Sequence, residues 1–274
     1  MRVQVTLTVN ESKRIIAKGV AKLSVVKRAL RSGKIFLKGG TTVSCVSQEL
    51  AGKPLEISGR IVPNGTKASR FKSGKFHCAL IERGELLDVY ETLENTIENL
   101  GAEDVAIIGA NAIDVYGNAA MMYGSSLGSK PGRIISGLMA EICNVIVPAG
   151  LEKLVPGSIA ESIVKSGRKH IDRSMGMAVG LTPIIGTIIT EKDAVPLLED
   201  VTCTVIGRGG IFGAEGATTM IIEGNERQVE NVFQIILSVK GEKVSGIPES
   251  LPECIPTDER CKSHRGCMYK RSKK

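Results

Sequence analysis

Two glycine-rich turns and one cysteine/histidine run are the places where this chain could do chemistry. The first turn is Gly39-Gly40-Thr41-Thr42, which directly follows an apolar strand-like segment and directly precedes a helical one. Backbone N–H groups and two hydroxyls then crowd at a helix N-terminus, where no intrahelical acceptor exists, and an anion can take their place. The same residues also suit a tight turn, with Thr42 as a helix cap. The second turn follows DVAIIG and carries Asn111, Asp114 and Asn118. The two amides can read hydroxyls, and Asp114 can carry a proton in a catalytic site. Further on, GSSLGSKPGR sets Lys130 and Arg133 around a glycine ahead of a helix, which fits either a phosphate-contacting loop or a solvated one. Lys153, just past another apolar strand, completes the set of candidate ligand contacts as a charge partner.

The run ECIPTDERCKSHRGCMYK supplies Cys254, Cys261, His264 and Cys267. Three thiolates and one imidazole make a closed tetrahedral set suited to structural zinc, and neighbouring basic residues help keep the thiolates ionised. An iron–sulfur cluster is the alternative occupant, and a basic tail with incidental cysteines is the reading without metal. By contrast, GRGGIFGAEG does not give the G-x-G-x-x-G spacing, because Phe212 occupies the third position and a strand-like segment follows it. No nucleotide cofactor is therefore expected. Glu215, between glycines, lines a cleft or sits on a surface turn, and the isolated His77 and His170 read as structural or exposed.

The elements that must position these residues follow from hydrophobic periodicity. Residues 3–9 alternate as a half-buried strand, 11–32 keep a helical period up to Gly33, and 34–38 form the strand before the first turn. Strands are expected at 56–62, 76–82, 105–108 and 144–147, with helices after Thr42, at 90–100 and at 134–142. Strands alternating with helices imply a mostly parallel, Rossmann-like three-layer sheet whose ligands sit beyond the C-terminal strand ends. From residue 181 the units shorten to a βαββα pattern. The expected organisation is thus an α/β metabolite-binding domain over 1–180, a small α+β domain over 181–246, and a linker with a Cys/His-rich basic tail over 247–274.

The segments KIFLKGGTTVSCVSQEL and EDVAIIGANAIDVYGNAA resemble the NagB/RpiA/CoA-transferase-like superfamily, over roughly residues 13–163. That group includes sugar-phosphate isomerases, deaminases, CoA transferases and the sensor domains of DeoR-type repressors. The resemblance implies a phosphate- or hydroxyl-binding turn at 39–42 and a second turn bordering the same pocket. Phosphopentose isomerases of that group carry an acidic Gly-Ala-Asp-Glu-type turn, whereas this chain reads Gly109-Ala110-Asn111-Ala112-Ile113-Asp114. Asp114 alone lies near the position of the acid. No motif of the region supplies the glutamate nucleophile that CoA-transferring members use.

Composition excludes other classes. With 42% hydrophobic residues and 31 glycines, the 274 residues match neither a disordered nor a collagen-like chain. The net charge of +7 resides in residues 260–274, which hold seven Lys/Arg and no Asp/Glu, so nucleic acid is expected only through the tail. Cys45, Cys78, Cys143 and Cys203 sit singly in apolar segments as reduced thiols do, and no signal-peptide or membrane-spanning stretch is evident. The chain therefore reads as cytoplasmic, free of membrane contact and able to form homo-oligomers. Its expected function is to bind, and in an enzymatic version convert, a small phosphorylated or acidic metabolite. The alternative is a ligand- or metal-responsive protein whose tail contacts nucleic acid or a protein partner.

Overall fold

The computed structural model describes residues 1–70, 75–141, 144–256, 261 and 264–270. Strands are β1 (Arg2–Leu7), β2 (Lys34–Lys38), β3 (Gly59–Val62), β4 (Gly65–Ala68), β5 (Cys78–Glu82), β6 (Glu85–Asp88), β7 (Val105–Ile108), β8 (Ala112–Ile113), β9 (Ala119–Tyr123), β10 (Val145–Pro148), β11 (Gly180–Ile184), β12 (Thr187–Ile189), β13 (Val201–Gly209) and β14 (Ala217–Gly224). Helices are α1 (Val9–Lys22), α2 (Ser24–Ser32), α3 (Thr41–Ala51), α4 (Leu93–Glu98), α5 (Ser129–Glu141), α6 (Ile159–Lys165), α7 (Glu191–Leu198) and α8 (Glu226–Ser238).

The main sheet runs β12-β10-β7-β2-β5-β6. Its first four strands are mutually parallel, while β5 is antiparallel to β2 and β6 to β5. The sheet is thus mixed. The antiparallel addition is a hairpin closed by Arg83 and Gly84, both at positive φ (51° and 80°), as a tight two-residue hairpin turn requires.

Strand periodicity divides the core. Ile35, Leu37, Val105 and Ile107 enter a cluster that also holds Ile16, Val43 and Val195, whereas Phe36, Ala106 and Ile108 enter a second cluster with Leu93, Ile134 and Leu138. Successive side chains of a strand point to opposite faces, so the sheet is covered on both. Helices α1 and α3 belong to the first face, and α4 and α5 to the second.

The segment expected as one helix over 11–32 is two, because Leu23 is extended (ψ 134°). That break lets α1 pack on α3 and α7 while α2 turns toward β2. Segment 181–246 shows the expected short elements, but it shares strands and core with the rest. Strand β1 pairs with β14, β12 extends the main sheet, and Val201, Met220 and Val229 join the cluster around Ile35. Among the described residues, no helix is long and apolar enough to cross a membrane.

Candidate functional site

The parallel strands β2, β7, β10 and β12 all end at one edge of the sheet. The chain leaves β2 through Gly39 and Gly40 and enters α3 at Thr41. Gly39 is required by crowding: a Cβ there would lie 2.6 Å from the Glu56 carbonyl oxygen and 2.7 Å from that of His77. Gly40 is extended (φ 176°), and a Cβ on it would meet no atom within 4 Å. The turn's crest is therefore open.

Helix α3 has no side-chain cap. Its first intrahelical bond runs from Ser44 N–H to the Gly40 carbonyl, so the N–H groups of Thr41, Thr42 and Val43 lie before the hydrogen-bonded ladder. The positive end of the helix dipole adds to their attraction for an anion.

Lys153 reaches this point from the turn after β10. Its Nζ donates to Thr42 Oγ1 at 3.5 Å, a long contact that leaves its other hydrogens for a ligand. Burial lowers the Lys153 pKa to about 8, with Lys13 pushing the same way and Glu152 and Glu191 opposing. Among the described residues Lys153 makes no ion pair. Lys13, on α1, is only 8% exposed and has neither a hydrogen bond nor an ion pair among those residues. Among the described residues, two lysines that make no close ion pair thus lie together, one of them touching the uncapped start of α3.

Two acidic side chains complete the surroundings. Glu191, at the first position of α7, accepts from Leu151 N–H at 2.9 Å and from Thr218 Oγ1 at 2.7 Å, which ties the Lys153 turn to β14. Its pKa is raised, because burial outweighs those hydrogen bonds. Glu152 Oε2 is buried with no hydrogen-bond partner among the described residues.

Of the other expected ligand contacts, the Asn111–Asn118 loop abuts the Lys153 turn, with Ile113 bridged to Leu154 and Val155 N–H donating to the Ile113 carbonyl, but its polar side chains are already engaged. Asp114 staples its own loop. Its Oδ1 accepts from Tyr116 N–H and Asn118 N–H, and its Oδ2 from Ile159 N–H at the start of α6, with the Asn118 amide bridging both oxygens. Burial would raise its pKa, but these donors outweigh burial and hold it below the ordinary carboxylate value. A carboxylate so engaged is a poor proton carrier, which departs from the catalytic role expected of it. Asn111 Oδ1 is likewise taken up by Met122 N–H at 3.0 Å, so it and Asn118 are bound within the β8–β9 hairpin. Lys130 pairs with Glu91 and lies 5.3 Å over the Tyr90 ring. The second glycine stretch instead borders an open groove of about 540 Å³ with Arg168, Lys169 and His170, of which Lys169 and His170 are exposed and solvated.

In the tail, Cys254, Cys261 and His264 are buried and Cys267 is half-buried. Among the described residues, no group of three or more His, Cys, Asp or Glu side chains is placed to hold a metal ion. Backbone hydrogen bonds dock the tail on the body: Cys254 N–H donates to Ala68, Ser174 N–H to Gly266 and Ala178 N–H to Arg265. Cys143 lies outside the described residues.

Comparison with known proteins finds no matching family model, no matching curated protein and no matching solved structure. The site's own geometry therefore carries the functional argument. Sequence reading missed Lys13, Glu152 and Glu191. Only Lys13 left a signal: it is three and four residues ahead of Ile16 and Ala17, on the apolar stripe of α1.

Proposed function

We propose that the protein binds a small phosphorylated or acidic metabolite at the C-terminal edge of its parallel strands, over the β2–α3 turn. The observation that carries this reading is the pair Lys13 and Lys153, neither in an ion pair among the described residues, with Lys153 on the uncapped start of α3. An ammonium shielded from water without a close ion pair costs folding free energy that Glu152 and Glu191 offset only in part at Lys153, and an anionic ligand recovers more of it. Helices on both faces of a sheet with four parallel strands support the Rossmann-like three-layer reading. A Gly-Gly-Thr-Thr turn after a parallel strand supports the resemblance to the NagB/RpiA/CoA-transferase-like superfamily. If the bound metabolite is converted, Glu152 and Lys153 are the groups placed to move protons, in place of Asp114.

Calorimetry and thermal shift with inorganic phosphate and glycerol phosphate at low salt test the proposal. Either probe should raise the melting temperature with increasing concentration, as a ligand of the native state does. Lys153→Met and Lys13→Met should each weaken binding about tenfold, the size of one charge-assisted hydrogen bond. Asp114→Asn should leave affinity unchanged. Binding that is absent for every anion, or undiminished in the double lysine variant, would reject the site.

A further inference from the structure

Lys38 is the last residue of β2 and is 8% exposed. Among the described residues it has no hydrogen bond and no ion pair. The comparably buried Lys67 is compensated, with its ammonium 3.9 Å from the centre of the Tyr269 ring. Among the described residues, Lys38 has no such companion. Its neighbour across the sheet is Cys78, in register on β5, with Ile108 on the other side. The Cys78 thiol is pushed up to about 12 by burial, so it is neutral and offers no counter-charge. Burial correspondingly lowers the pKa of Lys38.

Strand alternation puts Lys38 on the same face as Phe36, whose cluster lies opposite the one that contains α1 and α3. Lys13, Thr42 and Lys153 belong to the α1–α3 face. The crest between the two faces is Gly39-Gly40, open above Gly40. Lys38 and Thr42 are four residues apart, so their Cα atoms are at most about 14 Å from each other. A metabolite of a few carbons, with an anionic group at each end, spans such a crest once the lysine side chains reach toward it.

We infer that the ligand is a small metabolite with two anionic groups, a phosphate held by Lys13, Lys153 and the start of α3, and a carboxylate or second phosphate held by Lys38. This rests on the proposed anion site and specifies its substrate class. It also gives the glycine at position 40 a purpose, since any side chain there would occupy the path between the two ends.

The test compares glycerol phosphate with phosphoglycerate, which differ by a carboxylate in place of a hydroxymethyl group, by calorimetry on the full chain. Phosphoglycerate should bind about tenfold more tightly to the wild type, the worth of one added charged hydrogen bond. Lys38→Met, which removes a buried charge while keeping the stem's volume, should bind the two probes equally and keep the wild-type affinity for glycerol phosphate. Lys38→Gln provides the same comparison if the methionine variant does not fold. Equal binding of both probes to the wild type, or a preference that survives in Lys38→Met, overturns this inference while Lys153-dependent binding of glycerol phosphate leaves the anion site standing. No binding of either probe overturns both.

Discussion

Lys153 sets a conflict between stability and binding. Its native pKa of about 8 lies below the value of 10.5 for a free lysine, so between those values the unfolded chain holds a proton that the native chain has released. Stability must then rise with pH across that window, and the penalty is fully present below about 8. Lys153→Met removes the penalty. The variant should melt higher than the wild type near neutral pH, and the gap should close as pH climbs from 8 toward 10.5. Phosphate affinity of the wild type should fall over the lower part of the same range, because the neutral amine attracts no anion. Differential scanning across pH, with and without phosphate, reads both effects. A gap that widens with pH would contradict the burial of this ammonium. Asp114 shows the opposite case: a residue type that suits catalysis is used up by four backbone and amide donors, and nothing in its one-dimensional context distinguishes the two roles.

At the scale of elements, the β2–α3 turn supports a sharp contrast between adjacent glycines. Gly39→Ala forces a methyl group against two backbone carbonyls that cannot swing away, and should cost about 3 kcal/mol or more. Gly40→Ala meets open space in an extended backbone, and should be neutral or stabilising by about 0.5 kcal/mol. Urea midpoints of the two variants check this, and equal losses would mean that the crest is closed. This turn was legible in the sequence because an apolar strand, two glycines, two threonines and a helical period follow in order. Strand β9 was not. Its residues AAMMY include no β-branched side chain and stand between Asn118 and Gly124, and its partner β11 carries Pro183, which an edge strand tolerates but which reads as a breaker. The division at Leu23 was equally silent, since neither glycine nor proline marks it and packing of α1 and α2 on different neighbours decides it.

Across the whole molecule, segments far apart in the chain are tied to each other, which sequence texture could not show because pairing between distant segments leaves no local mark. Strand β1 lies along β14, and Ile247 N–H donates to Leu55 while Arg60 binds the carbonyls of Ser250 and Leu251. The tie closest to the site is Glu11, 3% exposed near the start of α1, which accepts from Thr8 N–H, Gly241 N–H and Lys240 Nζ. It joins the helix that carries Lys13 to the end of α8. Burial raises its pKa, but Lys240 and the two N–H groups outweigh burial and hold it below 4.5. Stability from this carboxylate is therefore present above 4.5 and is lost as pH falls through the lower native value. Lys240 contributes the largest lowering share, which water screens because it is half-exposed, and the partly buried N–H groups of Gly241 and Thr8 add to it. Glu11→Gln should destabilise the protein by about 2 kcal/mol near neutral pH, because the amide accepts through one oxygen and presents N–H groups to donors. Below pH 4.5 the difference should shrink, since the wild-type carboxyl is itself becoming protonated. Urea unfolding of both proteins at neutral and acidic pH measures this. Because both segments share one core, unfolding should remain a single transition in each. A separate transition for residues 181–246 in the variant would show that the Glu11 tie is needed for the two segments to unfold together.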